Sequence, residues 1–370
     1  MKKLSLSKAV LAVIFISGCS FGTAPVISRS GQPNPTVSNV NPGIVVPSAG
    51  AVASTSPVRV DESEKIAFMS NRSGFWDIYT MNTDGSNVQR LTKDDMKGPF
   101  SFSVSPDGRR LAYVSDKTGN PDLWVMDLNT KTTIQVTDTE FGDEGSPSWT
   151  SDSQSIAFHS DSQAEIYQIL QVNSPLNDKG KNNTQSLIAE TTGNALHPSF
   201  SPDGTKLLYS LSEANGESML HVYDYQSSKD TIITRKEDVP VNGTWEPGSN
   251  KVLYWTNNNG MFQVNADGTG NIQVGSIKNI KGSPYYSPDG KKIVFARGYG
   301  FADDYDVWVI DNDGRNPKRL TTEGGISLNW YKVNKSSLNP IVSPTPVPGG
   351  NVIVPSNAPY IDPNDPVINP

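Results

Sequence analysis

Ser105-Pro106-Asp107-Gly108 recurs as Ser201-Pro202-Asp203-Gly204 and again as Ser287-Pro288-Asp289-Gly290. The tetrapeptide reads as a hairpin turn. Pro presets φ at the second position, Asp can bond back to the backbone, and Gly accepts the positive φ that closes the turn. Each copy leads into a strand-like run: Leu111-Ala112-Tyr113-Val114-Ser115, Leu207-Leu208-Tyr209-Ser210 and Ile293-Val294-Phe295-Ala296. The residue just before each turn serves as a marker: Val104, Trp149, Phe200, Trp245, Tyr286 and Trp330, at intervals of roughly 41–51 residues. Worn turns, Thr150-Ser151-Asp152-Ser153 and Glu246-Pro247-Gly248-Ser249, stand where the intact ones are missing.

Every period repeats one order: a short strand ending at the marker, the turn, a second strand, a polar loop, and a third strand such as Asp122–Met126 or Asp306–Ile310. An Asn/Asp/Gly turn then leads to a short fourth strand ending near Leu-Thr, as in Leu91-Thr92 and Leu320-Thr321. Four strands per repeat of this length specify a β-propeller blade. Six markers specify an all-β, six-bladed propeller of four-stranded blades over residues 62–334. The first repeat lacks its leading strand, and Ile326-Ser327-Leu328-Asn329-Trp330 is a strand to spare. The C-terminal strand is therefore expected to complete the first blade and close the ring. A chain with 31 Gly and 27 Pro and little 3.6-residue periodicity agrees with an all-β fold.

The ends read differently. Residues 1–19 begin with Lys2, Lys3 and Lys8, continue with the short apolar run Ala9–Ile16, and finish at Ser17-Gly18-Cys19. The run is too short to span a bilayer and reads as an export signal. Its end resembles the bacterial lipobox, which implies cleavage before Cys19 and a lipid on that residue. Ser20 follows; in the sorting pattern of that class Asp here retains a protein in the inner membrane, so the resemblance favours the outer membrane, facing the periplasm. Residues 20–61 are rich in Pro, Ser and Gly and read as a disordered tether. Residues 335–370 read as a Pro-rich disordered tail, either a spacer or an extended ligand. The formal net charge is −7, and loss of the three signal lysines makes the remainder more acidic still. Such a chain is a poor partner for nucleic acid.

The units Ser-Pro-Asp-Gly-x-x-Leu-Ala-Tyr-x-Ser, Asp-Leu-Trp-Val-Met-Asp and Leu-Thr resemble the TolB-type propeller repeat, a WD40-like unit, over all six periods. Ile66-Ala67-Phe68-Met69-Ser70-Asn71-Arg72 and Asp77-Ile78-Tyr79-Thr80-Met81-Asn82 match it closely. The resemblance is specific for the fold and implies an envelope propeller that binds partners, often proteins. The family's namesake has an added amino-terminal α/β domain where this chain has its tether, so the work of that domain is not carried over. Tyr254-Trp255-Thr256-Asn257 resembles the repeat of receptor-type propellers, in one blade only.

Catalytic motifs are missing. There is no Gly-x-Ser-x-Gly elbow, Walker loop, Rossmann fingerprint or Cys/His metal spacing, and no cofactor is expected. Asn82–Gly85, Asn265–Gly268 and Asp311–Gly314 place Gly at position four, not six, and read as hairpin turns rather than calcium loops. Of three histidines, His159 ends a second strand, His221 sits in a third strand as a packing or surface residue, and His197 precedes Pro198 at the channel mouth. A related propeller lyase holds a metal on several histidines; this chain lacks them at those blade positions.

Propeller connectivity places the second-to-third-strand loops and the blade-to-blade loops on one face, and these loops carry the acidic excess. Asp138, Glu140, Asp143, Glu144, Asp161 and Glu165 come from neighbouring blades and are expected to converge, with Asp143, Glu144, Asp303 and Asp304 at exposed loop tips. Asp303, Asp304 and Asp306 lie across the ring, and Gly298-Tyr299-Gly300-Phe301 adds flexible apolar area. The long loop Asn173–Gln185 is the counter-example on the opposite face. The candidate binding residues are thus these acids with His197 and Tyr299. The favoured reading is a non-catalytic lipoprotein binding a protein or cell-wall partner, cationic in character, through the acidic face. The alternatives are a hydrolase or lyase for polysaccharide or peptide using paired acids such as Asp143 and Glu144, and a structural or assembly spacer.

Overall fold

The structure is a computed structural model and describes residues 63–94, 96–98, 100–140, 142–163, 166–173, 184–186, 193–256, 260–298 and 305–334. The signal with Cys19, the tether, the tail, Glu165, Tyr299, Asp303 and Asp304 lie outside the described residues, as does most of Asn173–Gln185.

The described residues form six four-stranded antiparallel sheets. Blade one holds β1 (Glu64–Ser70), β2 (Asp77–Asn82) and β3 (Gln89–Arg90). Blade two is β4 (Phe102–Val104), β5 (Arg110–Ser115), β6 (Asp122–Asp127) and β7 (Thr133–Gln135). Blade three is β8 (Glu144–Trp149), β9 (Ser155–Ser160), β10 (Gln168–Asn173) and β11 (Thr184–Ser186). Blade four is β12 (Asn194–Phe200), β13 (Lys206–Ser212), β14 (Ser218–Asp224) and β15 (Lys229–Ile232). Blade five is β16 (Pro240–Trp245), β17 (Lys251–Thr256), β18 (Gly260–Asn265) and β19 (Ile272–Val274). Blade six is β20 (Ile280–Tyr286), β21 (Lys292–Gly298), β22 (Tyr305–Asp311) and β23 (Lys318–Arg319). The last strand, β24 (Ile326–Lys332), pairs with β1 at the inner edge of blade one, with Ile66 opposite Trp330. The inner strands β24, β4, β8, β12, β16 and β20 contact one another in turn, so the ring closes as the sequence predicts.

Side-chain alternation builds the seams. Along β1, Ile66 and Phe68 enter the core shared with blade six, while Ala67 and Met69 enter the core shared with blade two. Along β17, Leu253 and Trp255 face blade six, and Val252 and Tyr254 face blade four. A strand buried on both faces must be apolar at every position, which is why the second strand of each blade reads as a continuous apolar run. One core fills each of the six seams.

The repeated turn behaves as its residues dictate. Gly108, Gly204 and Gly290 have φ of 69°, 72° and 72°. The Asp carboxylates accept from the backbone N–H of Arg109, Thr205 and Lys291 at 3.1, 3.0 and 3.1 Å. Gly108 is also fixed by a close approach: a Cβ there would lie 1.9 Å from the Lys332 carbonyl oxygen. The three Asn/Asp-x-Asp-Gly segments are turns between third and fourth strands, with Gly85, Gly268 and Gly314 donating to Asn82, Asn265 and Asp311 at 3.0, 2.9 and 2.8 Å.

Candidate functional site at the channel mouth

The loop that enters blade three carries Asp138, Glu140 and Asp143, all exposed. It is pinned to the loop after β9, where Asp161 accepts from the Asp143 backbone N–H at 2.8 Å. Gly142 allows this contact: its φ is 121°, and a Cβ would sit 2.7 Å from Ser162 Cα. Behind these acids, the rings of His159 and Tyr167 meet edge to face at 5.2 Å. Burial, and then the charges of Asp161, Asp143 and Glu144, push the Tyr167 hydroxyl up to about 12. The acids of blade three therefore surround one tyrosine at the mouth.

His197 stands one layer below, on the inner strand of blade four. Its Nδ1 is 2.7 Å from Ser146 Oγ, its ring crosses His159 at 5.6 Å, and its backbone N–H donates to His159 Nδ1 at 3.5 Å. Burial lowers His197 to about 4 and His159 well below its ordinary range, so both imidazoles are neutral at physiological pH. A bare Gly145 makes room for the His159 ring. His159, Tyr167 and Ser146 were given no role by the sequence reading. The signal for Ser146 was its position three residues before a marker, which His197 shares. His221 is a packing residue, bonded through Nδ1 to Asp230 at 2.6 Å.

Two of the candidate acids are buried: Glu144, expected at an exposed tip, and Asp306, expected to contact a partner. Glu144 is 4% exposed, because it is the first residue of β8 and turns into the seam between blades two and three. Its carboxylate accepts from Ser160 at 3.0 Å and lies 3.3 Å from the Thr137 and Thr139 hydroxyls, with no cation in contact among the described residues. Burial, with the nearby charge of Asp122, pushes it up to about 7 against the pull of those hydroxyls. Glu144 is thus enclosed by hydroxyls in the seam, whereas Asp143 beside it is exposed, so the two carboxylates of the Asp143/Glu144 pair stand in different environments. Asp306 is 1% exposed. It pairs with Arg319 and accepts from Thr321 Oγ1 at 3.2 Å, and Thr321 in turn accepts from the Val307 N–H at 2.9 Å. Blade one repeats the unit with Asp77, Arg90 and Thr92. Asp306 is a structural clip that ties a third strand to the loop after the fourth, not a docking residue.

On the turn face a cleft of about 530 Å³ opens between blades four and five, lined in part by Lys206, Lys229, Lys251, Asp224 and Asp267. Among the described residues no group of three or more His, Cys, Asp or Glu could hold a metal ion. No described helix is long and apolar enough to cross a membrane.

Blade number, closure and seams define the class: an all-β, six-bladed propeller with acids at the mouth and neutral polar groups along the axis. Within that class the propeller is TolB-like. The chain is 27% identical over 106 residues to the Tol-Pal system protein TolB of Francisella tularensis subsp. mediasiatica (strain FSC147), a match covering 28% of this chain and 24% of that protein. The matched region thus spans about a quarter of the relative. The crystal structure of TolB from Acinetobacter baumannii superposes with a TM-score of 0.63 at 20% identity, covering 73% of this chain and 67% of that one. A chain of the Nidogen/Laminin complex gives a TM-score of 0.58 at 8% identity, covering 72% of this chain and 98% of that one. No family model matches the sequence.

Proposed function

We propose that this protein is a non-catalytic envelope lipoprotein, tethered through Cys19 on the outer membrane, whose propeller binds a protein or cell-wall partner at the acidic mouth. The observation that carries the reading is the pinning of Asp143 to Asp161 beside Tyr167, on a loop that also carries the exposed acids Asp138 and Glu140. Exposed acids of one sign around an opening draw a cationic partner toward it, and an edge-stacked tyrosine supplies rigid contact area at low entropic cost. The likeness to TolB, a Tol-Pal system protein by name, supports a protein partner in the envelope.

The test is photo-crosslinking in the native cell. A photoreactive residue at Asp143 is expected to give a discrete adduct that Asp138→Lys with Glu140→Lys abolishes. The same residue at Asp267, on the turn face, is expected to give none. Adducts from Asp267 alone would move the binding face to the opposite side.

A further inference from the structure

Three residues before each marker stand Ser101, Ser146, His197, Asn242, Ser283 and Ser327, one per blade. All six are half-buried and uncharged. They hold the same register on six inner strands that contact one another in turn, and five of them are joined by hydrogen bonds. Ser146 N–H donates to Ser101 Oγ at 2.6 Å, Ser146 Oγ meets His197 Nδ1 at 2.7 Å, and Asn242 Nδ2 donates to Ser283 Oγ at 2.6 Å. The positions are therefore a ring around the axis, beneath the acidic mouth.

Two features distinguish this ring from packing. First, Ser146, His197 and Ser327 hold φ of 47°, 54° and 48°, and each lies at a bulge in its inner strand. A non-glycine residue in that region costs on the order of 1–3 kcal/mol, and such strain gathers at functional sites. Second, three hydroxyls on consecutive blades lack acceptors. Ser283 on blade six and Ser101 on blade two each accept one bond, yet neither O–H has an acceptor among the described residues. Ser327, between them on blade one, has no side-chain partner there at all. These half-buried hydroxyls keep a donor that an oxygen-rich ligand can take in exchange for water.

We propose that this ring binds one uncharged sugar unit, lying across the axis. A pyranose carries polar groups around its whole equator, which matches a closed ring of six polar side chains. An extended peptide carries them on two edges only. The neutral ring offers an anion no counter-charge, and the acids above repel one. This inference stands apart from the partner at the mouth and does not need it.

The test uses the whole protein labelled at histidine. Its three imidazoles include an internal reference, because His221 lies in the third strand of blade four, bonded to Asp230 rather than to the ring. N-acetylglucosamine is the probe and glucuronate the comparator, followed by NMR. The expected result is a saturable shift of His197 and His159 with N-acetylglucosamine, with His221 unmoved and glucuronate binding at least tenfold more weakly. Ser327→Ala deletes a hydroxyl that holds nothing else in the described structure. It is expected to keep the wild-type Tm and to weaken binding roughly fivefold, as loss of one hydrogen bond does. No saturable shift at His197, an equal shift at His221, equal binding of glucuronate, or unchanged affinity in a folded Ser327→Ala protein would each overturn the proposal.

Discussion

Asp306 and Glu144 are both buried carboxylates at loop–strand junctions, and they meet opposite fates. Asp306 has Arg319 against it as well as a threonine hydroxyl, so its negative charge is balanced in place. Among the described residues Glu144 has only the hydroxyls of Ser160, Thr137 and Thr139, with Asp122 as a neighbour of like sign. Hydroxyls can donate to a carboxylate but bring no charge to offset its desolvation. The outer strands of blade six are therefore clipped by an ion pair, and the seam between blades two and three encloses a carboxyl that takes up a proton near neutrality. Similar burial thus leaves one carboxylate against a guanidinium and the other among hydroxyls alone.

The largest effect expected from this contrast is in blade six. Asp306→Ala leaves Arg319, Thr321 and the Gly324 N–H without their shared acceptor and should cost roughly 3 kcal/mol, read as a lowered midpoint in urea. A loss under about 0.5 kcal/mol would show that the clip is ornamental. Next comes Glu144. Its folded value near 7 lies above the ordinary 4.5, so the unfolded chain gives up the proton first as pH rises. The contribution is fully present below about pH 4.5 and fades as pH rises through 7, by at most about 3 kcal/mol. Glu144→Gln should flatten that slope, and an unchanged slope would place the titrating group elsewhere. The smallest effect should come from Gln135→Arg. Gln135 stands opposite Trp124 as Arg319 stands opposite Trp308, and it donates to Asp122 at 3.0 Å. An arginine there should pair with Asp122, remove part of the like charge felt by Glu144, and lower its NMR titration midpoint by about half a unit.

The fold was legible because a repeated turn states its own geometry and a fixed period counts the blades. The site was legible only in part. His197 stands out in the sequence because it precedes Pro198 at an inner strand, and Asp143 and Asp161 because acids gather in two loops; the structure brings Asp143 and Asp161 together. Glu144 was misplaced because one residue of register separates the end of a loop from the start of a strand, and a one-residue shift reverses which way a side chain points. Asp306 carried a signal that was passed over. Asp77-Ile78-Tyr79, Asp122-Leu123-Trp124 and Asp306-Val307-Trp308 open three third strands in the same register, each paired with a Leu-Thr or Val-Thr further on. A residue that recurs with the repeat serves the repeat. His159 and Tyr167 could not be found from spacing, because their contact depends on which rotamers the mouth leaves open.

The pairing of β24 with β1 also sets an order of events in time. Residues 326–332 are among the last of the propeller to be synthesised, while their partner, Glu64–Ser70, is among the first. Until they arrive, β1 presents a bare edge and the seam with blade six lacks Leu328 and Trp330. A nascent chain thus carries an open arc of blades for most of its synthesis, because nothing yet locks its ends together. Joining ends so distant in sequence makes closure a slow step, and the sixfold mouth and channel come into being only with that final stroke.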